Sequence, residues 1–324
     1  MTISKPHDSG SVEGKLPGIV GPTASGKERA ALSTAEALGA EIVSLDSMKI
    51  YRGMDIGTAK PDTEARRRVP HHMIDVADAG ETFDMKRYVE AVDGLVPRIR
   101  DRGRVPLLSG GTPMYLQALL YGLFEGPGRD ASIRDRLLGE ASDLGVAALH
   151  RRLQGIDPEA ARRIHPNDLR RIVRALEVHE KTGRPISSFQ TEFGRPSRRY
   201  RAILVGIRRE RADLHARIDR RVDRMIADGL VGEVEGLWRR GALRGAAAQA
   251  LGYKEVVEHL EGRATLPEAV ERIRFATHRF ARRQMTWLRR FRDIRWIDVE
   301  RGGGEEAVAT RVLEQLRRGL DESE

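Results

Sequence analysis

The apolar positions of the chain fall first into short runs separated by longer amphipathic stretches. Leu16–Val20 enters a glycine turn, and Glu28–Leu38 follows as a helical stretch of Ala and Leu. Glu41–Leu45 has strand character and stops at Asp46-Ser47; Tyr51–Pro61, rich in Gly, Thr and Pro, predicts a loop. Met73–Val76 is a further short strand candidate, and a helix over Met85–Asp101 feeds the strand Val105–Leu108, which ends at Ser109-Gly110-Gly111-Thr112. Alternation of this kind predicts a parallel sheet with ligands at the carboxyl ends of its strands. Pro17 and Gly18 make the first strand weak by pattern alone.

From Phe124 to Arg201 strand patterns vanish and short helical segments lie between Gly and Pro punctuation, which predicts a helical insertion. Ala202–Ile207 resumes the sheet, helices run from Arg211 to Arg292, and Ile294–Ile297 supplies a last strand. The expected fold is α/β, a P-loop NTPase-like parallel sheet flanked by helices, with an all-helical insertion domain. Its expected parts are a flexible leader (1–15), a core domain (16–123 and 201–300), the insertion (124–200) and a C-terminal tail helix (301–324).

Composition narrows the chemistry. The chain has 324 residues, 40% hydrophobic and 32% charged, enough for a packed core in a main and a smaller domain. Lys and Arg number 57 against 48 Asp and Glu, and a net charge of +9 points to a polyanionic partner if the charges cluster. Without any cysteine, disulfides, thiolate metal sites and a Cys nucleophile are excluded. No apolar run reaches the roughly 18 residues of a membrane span, and the polar start resembles no signal peptide, so a cytoplasmic location with no membrane association is expected.

Gly21, Gly26 and Lys27 fit the G-x-x-x-x-G-K core of a phosphate-binding loop, whose amides wrap a phosphate at a helix N-terminus. Strand before and helix after are the context that the motif requires. Its next residue is ordinarily Ser or Thr, a hydroxyl ligand for Mg²⁺, and here it is Glu28. The carboxylate can ligate metal, repel phosphates, or turn away as a first-turn residue favoured by the helix dipole. A GTPase is excluded because Asn167, the only asparagine, is not in an N-K-x-D motif. A small-molecule kinase stays open.

Asp46–Pro61 closely resembles the tRNA dimethylallyltransferases, or isopentenyl-tRNA transferases. The resemblance continues through Gly21–Lys27, Gly110–Thr112, Arg163–Val178, Gln249–Glu255 and Thr277–Trp287, nearly the whole chain in the family's order. It implies attack of the exocyclic amine of the adenine 3′ of the anticodon on the first carbon of dimethylallyl diphosphate, with Mg²⁺ assisting. Gly21, Pro22, Thr23, Ala24, Ser25, Gly26, Lys27 and Glu28 then hold the donor's diphosphate, with Glu28 a candidate metal ligand. Asp46 takes the amine's proton, and Thr112 hydrogen-bonds Asp46 or the amine. A catalytically silent tRNA-binding protein is the alternative of a different class.

The residues themselves support these roles. Asp46 ends a strand that should neighbour the phosphate loop, where a base is needed; the competing reading is a helix cap or an outer metal contact, and for Thr112 a turn residue. The resemblance implies tRNA contacts at Asp46, Ser47, Met48, Lys49 and Arg134, and at Arg170, Arg171 and Arg174 on a helix Asn167–Thr182. On charge alone that helix is a solvated face with Arg174 paired to Glu177. Along a helix Val270–Arg292, Thr277 and Gln284 fall on the apolar stripe, where they bind either sheet backbone or a ligand. The family usually has Arg where His278 stands. His71 and His72 read as strand-edge or core residues, Trp238, Trp287 and Trp296 as core, and Tyr51 as a residue placed to stack on a base. The protein is expected to act as a monomer on the anticodon stem-loop, with the insertion gripping the stem.

Overall fold

The computed structural model describes residues 14–122, 126–189, 199–300 and 302–322. Most of the expected leader, part of the expected boundary near 123–124 and the acidic end at 323–324 lie outside them.

Six parallel strands form one sheet in the order β3-β2-β4-β1-β5-β6. They are β1 (Leu16–Val20), β2 (Ala40–Leu45), β3 (His71–His72), β4 (Val105–Gly110), β5 (Ala202–Arg209) and β6 (Ile294–Val299). β1 is central and wholly buried despite Pro17. Successive residues of a parallel strand bond to opposite neighbours. Leu16 N donates to Arg201 O on the β5 side, and the ladder to β4 begins only at Gly18. The N–H missing from Pro17 therefore falls where β4 is not yet paired.

The strand expected at Met73–Val76 is corrected to His71–His72. Met73 (φ 60) and Asp75 (φ 56) are left-handed, which ends an extended strand. His71 pairs in register with Ile42 at the sheet edge, and His72 Nε2 lies 2.6 Å from Glu41 Oε2.

Around the sheet lie α1 (Lys27–Leu38), α2 (Thr63–Arg68), α3 (Met85–Asp101) and α4 (Pro113–Tyr121). Four helices follow in the middle of the chain: α5 (Ala131–Leu144), α6 (Val146–Ile156), α7 (Pro158–Arg163) and α8 (Leu169–Thr182). The last five are α9 (Arg211–Ala227), α10 (Leu230–Arg239), α11 (Tyr253–Leu260), α12 (Leu266–Leu288) and α13 (Glu305–Asp321). Tyr121–Arg198 forms one compact unit, and the rest of the described chain forms the other.

In the larger unit one core lies between α1, α13 and the sheet, with Val308, Val312 and Leu316 of α13 packed in it. The C-terminal helix is thus an integral layer of this unit rather than an appended tail. A second core gathers Ile50, Tyr51 and Met54 from the loop after β2 with α9, α10, α11 and α12. Tyr51 is 1% exposed, so its expected stacking on a base is corrected: the ring is a core residue. The tryptophans are corrected in the opposite sense. Trp238 is exposed, and Trp287 and Trp296 are half-buried beneath Arg290 and Arg208.

The helical unit has its own core, to which α5, α6, α7 and α8 contribute. α8 begins where Asp168 accepts from Arg171 N and ends at Gly183 in the left-handed region.

Candidate active site

The phosphate-loop sequence closes into a tight turn between β1 and α1. Gly26 has φ 94, a conformation that a side chain strains, and it opens α1 without a capping side chain, the kind of helix start whose first-turn amides can meet an anion. Ser25 N donates to Pro22 O at 3.3 Å. The Ser25 hydroxyl is buried inside the loop, close to Gly21, and has no hydrogen-bond partner among the described residues.

Residues remote in sequence brace this loop. Gln284 Oε1 accepts from Thr23 N at 2.9 Å, and Gln284 Nε2 donates to Gly111 O at 2.6 Å, so one buried amide ties the phosphate loop to the end of β4. A Cβ on Gly111 would come within 2.5 Å of that amide and 2.7 Å of Gly21 O; only glycine fits. Thr277 Oγ1 donates to Ile273 O in its own helix. Both polar residues of the α12 stripe therefore satisfy backbone. On the other side Arg209 Nε donates to Ser25 O at 2.8 Å and Arg217 Nε to Ala24 O at 3.0 Å. Sequence reasoning missed these arginines; their only signal is the Arg-rich pattern from Arg208 to Arg224.

Beyond β2, Asp46 Oδ1 accepts from Met48 N at 2.8 Å and Lys49 N at 3.2 Å. This holds the carboxylate in a turn and leaves Oδ2 with no hydrogen bond among the described residues. Thr112 Oγ1 accepts from Ser47 N at 3.3 Å, and Thr112 N donates to Leu45 O at 3.0 Å. Of the two expected partners of Thr112, the Asp46 carboxylate gives way to Ser47 N beside it, and among the described residues the hydroxyl hydrogen has no acceptor, leaving it available for the amine.

Glu28 sits between two ammonium groups. Its Oε1 lies 3.2 Å from Lys27 Nζ and 3.4 Å from Lys49 Nζ. Burial opposes ionisation of Glu28, yet Lys27, Lys49 and Arg221 outweigh it and hold the carboxyl well below its ordinary range. Burial, with Lys49 and Arg221 nearby, lowers Lys27 against the pull of Glu28 and Asp46. Both ammonium groups face Glu28 Oε1, so a cation at that oxygen would have to displace them, and the expectation that Glu28 ligates metal draws no support from this arrangement. Lys49 is corrected: its side chain is 7% exposed and turned to Glu28 rather than outward to RNA.

Asp46, Glu28 and Lys49 line one cavity of about 620 Å³ together with Ser44 and Ser109. A crevice of about 1160 Å³ runs along the phosphate loop on the side of α9, where Arg217, Arg220, Arg221 and Arg224 line it. Its opposite wall is the loop after Asp46, held by Glu233. Glu233 accepts from Asp55 N (2.8 Å), Ile56 N (2.7 Å), Gly57 N (3.1 Å) and the Tyr253 hydroxyl (2.6 Å). Lys60 Nζ adds 2.6 Å bonds to Asp55 and Asp75.

In the helical unit the arginines expected to meet RNA divide into two sets. Arg134 donates through two nitrogens, both at 2.9 Å, to Glu177, and Arg174 Nη1 donates to it at 2.7 Å. Glu177 is fully buried, so these two arginines, 26% and 27% exposed, turn their guanidinium groups to a partner within the unit, where the expectation had them turned to RNA. Arg170 and Arg171 are exposed on the same helix.

The comparisons with known proteins agree with one another. The family model described as IPP transferase matches residues 49–291. The tRNA dimethylallyltransferase of Symbiobacterium thermophilum is 47% identical over 306 residues, covering 94% of each chain. The crystal structure of the full-length tRNA isopentenylpyrophosphate transferase of Bacillus halodurans matches with a TM-score of 0.68 and 37% identity, covering 94% of this chain and 98% of that one. A eukaryotic dimethylallyltransferase solved acting on tRNA matches with a TM-score of 0.73 and 26% identity, over 88% of this chain and 74% of that one.

Proposed function

The chain belongs to the IPP transferase family, and on that premise we propose that it is a tRNA dimethylallyltransferase. It moves a dimethylallyl group from dimethylallyl diphosphate to the exocyclic amine of the adenine 3′-adjacent to the anticodon, giving N6-isopentenyladenosine. The observation that carries this reading is the opening of the Asp46 carboxylate into one cavity with Glu28 and Lys49, beside the phosphate loop.

The adenine amine is a weak nucleophile because its lone pair is delocalised into the ring, so catalysis depends on positioning and on stabilising the leaving group. The amine nitrogen bonds to C1 of the donor as the C1–O bond breaks, and diphosphate leaves with the electron pair. Asp46 Oδ2 takes the amine's proton, while Oδ1 stays with the amides of Met48 and Lys49. Thr112 fixes the turn through Ser47 N. Lys27, Arg221 and the first-turn amides of α1 stabilise the charge on the departing diphosphate. Mg²⁺ travels with diphosphates in solution and is implied by the resemblance; we assign it no ligand in this chain.

Arg170 and Arg171, with Ser47 and Met48 beside the base, are the proposed tRNA contacts. An anticodon loop lowers the cost of extruding the target base because that base is already largely unpaired. We infer action in the cytoplasm as a monomer, as the family resemblance implies; among the described residues no helix is long and apolar enough to cross a membrane. Incubating purified protein with tRNA and dimethylallyl diphosphate carrying label in the prenyl group tests the proposal. Label should enter the tRNA; transfer of phosphate from ATP to a metabolite instead would replace this reading with a kinase.

A further inference from the structure

Lys49 is 6% exposed, and lysine is almost never buried without a partner. Its ammonium meets Glu28 Oε1 at 3.4 Å, and Lys27 Nζ meets the same oxygen at 3.2 Å. Both distances exceed the roughly 2.7–2.9 Å of a strong charge-assisted bond. Each ammonium has three donors. Among the described residues, Lys27 gives one to Pro22 O as well as facing Glu28. Lys49 faces Glu28 alone.

The carboxylate between them is the most exposed member of the trio. Glu28 keeps 43% of its side-chain exposure, against 4% for Lys27 and 7% for Lys49. Its oxygen stands against both lysines, the position that an oxygen of a bound diphosphate can take while Glu28 turns out to water. An ordinary phosphate loop has a neutral hydroxyl at this position, which holds a cation against the phosphates. Here the hydroxyl is missing, the residue in its place is already countered by ammonium groups, and a second buried positive charge lies beside the first.

Resting on the donor site described above, we propose that Lys49 is a second diphosphate-binding lysine, kept in place by Glu28 until the ligand arrives, and that Lys27 and Lys49 together let the free protein bind a diphosphate without a divalent cation. The role rests on the pairing of Glu28 with Lys49 and is not contained in the loop pattern itself.

Calorimetric titration with inorganic pyrophosphate, in Mg²⁺ and in excess chelator, tests it. Wild-type affinity should change by less than about fivefold on chelation, whereas Lys49→Met should lose more than about fivefold under both conditions and Lys49→Arg should recover most of the loss. A wild-type loss of fivefold or more on chelation overturns the proposal, as does a well-folded Lys49→Met that binds like wild type. If Lys49→Met fails to fold by circular dichroism, the chelation result on wild type decides alone. Absence of pyrophosphate binding under both conditions overturns the donor-site reading itself, and this inference with it.

Discussion

Asp46→Asn keeps the shape of the turn after β2, because the amide oxygen can still accept from Met48 N, but removes the base. Turnover should fall by about 100-fold or more, with pyrophosphate affinity unchanged. Single-turnover kinetics beside calorimetry separate the two quantities; a fall in diphosphate affinity with normal turnover would move Asp46 from proton transfer to donor binding. Gln284 tests a different kind of residue. It touches no substrate in this account, yet Gln284→Ala leaves Thr23 N and Gly111 O without their partner. Of the two bonds only the one to Gly111 O is fully buried, and one buried group left unsatisfied costs about 1–3 kcal/mol. Denaturant titration should show a loss in that range, and an unchanged midpoint would mean that the phosphate loop keeps its shape without the tie.

At the scale of elements, the loop from Asp46 to Pro61 is shaped by Glu233, which one carboxylate ties to three consecutive amides. Glu233→Ala should speed hydrogen exchange at Asp55, Ile56 and Gly57 by about tenfold or more, since each amide loses a charge-assisted bond. Unchanged exchange would show that the core packing of Tyr51 and Met54 suffices. In α8 the equivalent buried carboxylate is Glu177. Burial raises its pKa, but hydrogen bonds from Arg134, Asp130 N and Arg174 outweigh this and hold it below the ordinary value. The folded chain therefore binds that proton more weakly than the unfolded chain. Its contribution is complete above the unfolded value of about 4.3 and declines as pH falls below it toward the folded value. Glu177→Gln should be less stable than wild type at pH 7, with the gap narrowing below about pH 4 in thermal melts; a constant gap would remove Glu177 from the acid response.

The same elements explain what the chain reveals of itself. β1, β2, β4 and the phosphate loop are written in contiguous residues, and so is Asp46 at the end of its strand, so local pattern suffices for them. The start of α12 was legible in principle: Thr265 and Glu268 form a capping box ahead of the expected first residue. The braces were not legible. Gln284 and Arg217 act on backbone more than 170 residues away; the Arg174–Glu177 pair, three residues apart on one helix, is legible and the structure has it, whereas Arg134 reaches Glu177 from 43 residues away and only packing brings it there. A pattern shows that a residue is charged, whereas only the fold shows which charge it meets.

For the whole molecule, a net charge of +9 and the crevice lined by arginines of α9 suit a protein that meets anions, as the proposed donor diphosphate and tRNA acceptor require. The most direct test is nucleoside mass spectrometry of tRNA from cells with the gene deleted, restored with wild type, or restored with Asp46→Asn. The account predicts N6-isopentenyladenosine, or nucleosides derived from it, in the wild-type strain and on restoration with wild type, and its loss in both other strains. Prenylated adenosine that persists at its normal level in the deletion strain, or returns fully with Asp46→Asn, would contradict it.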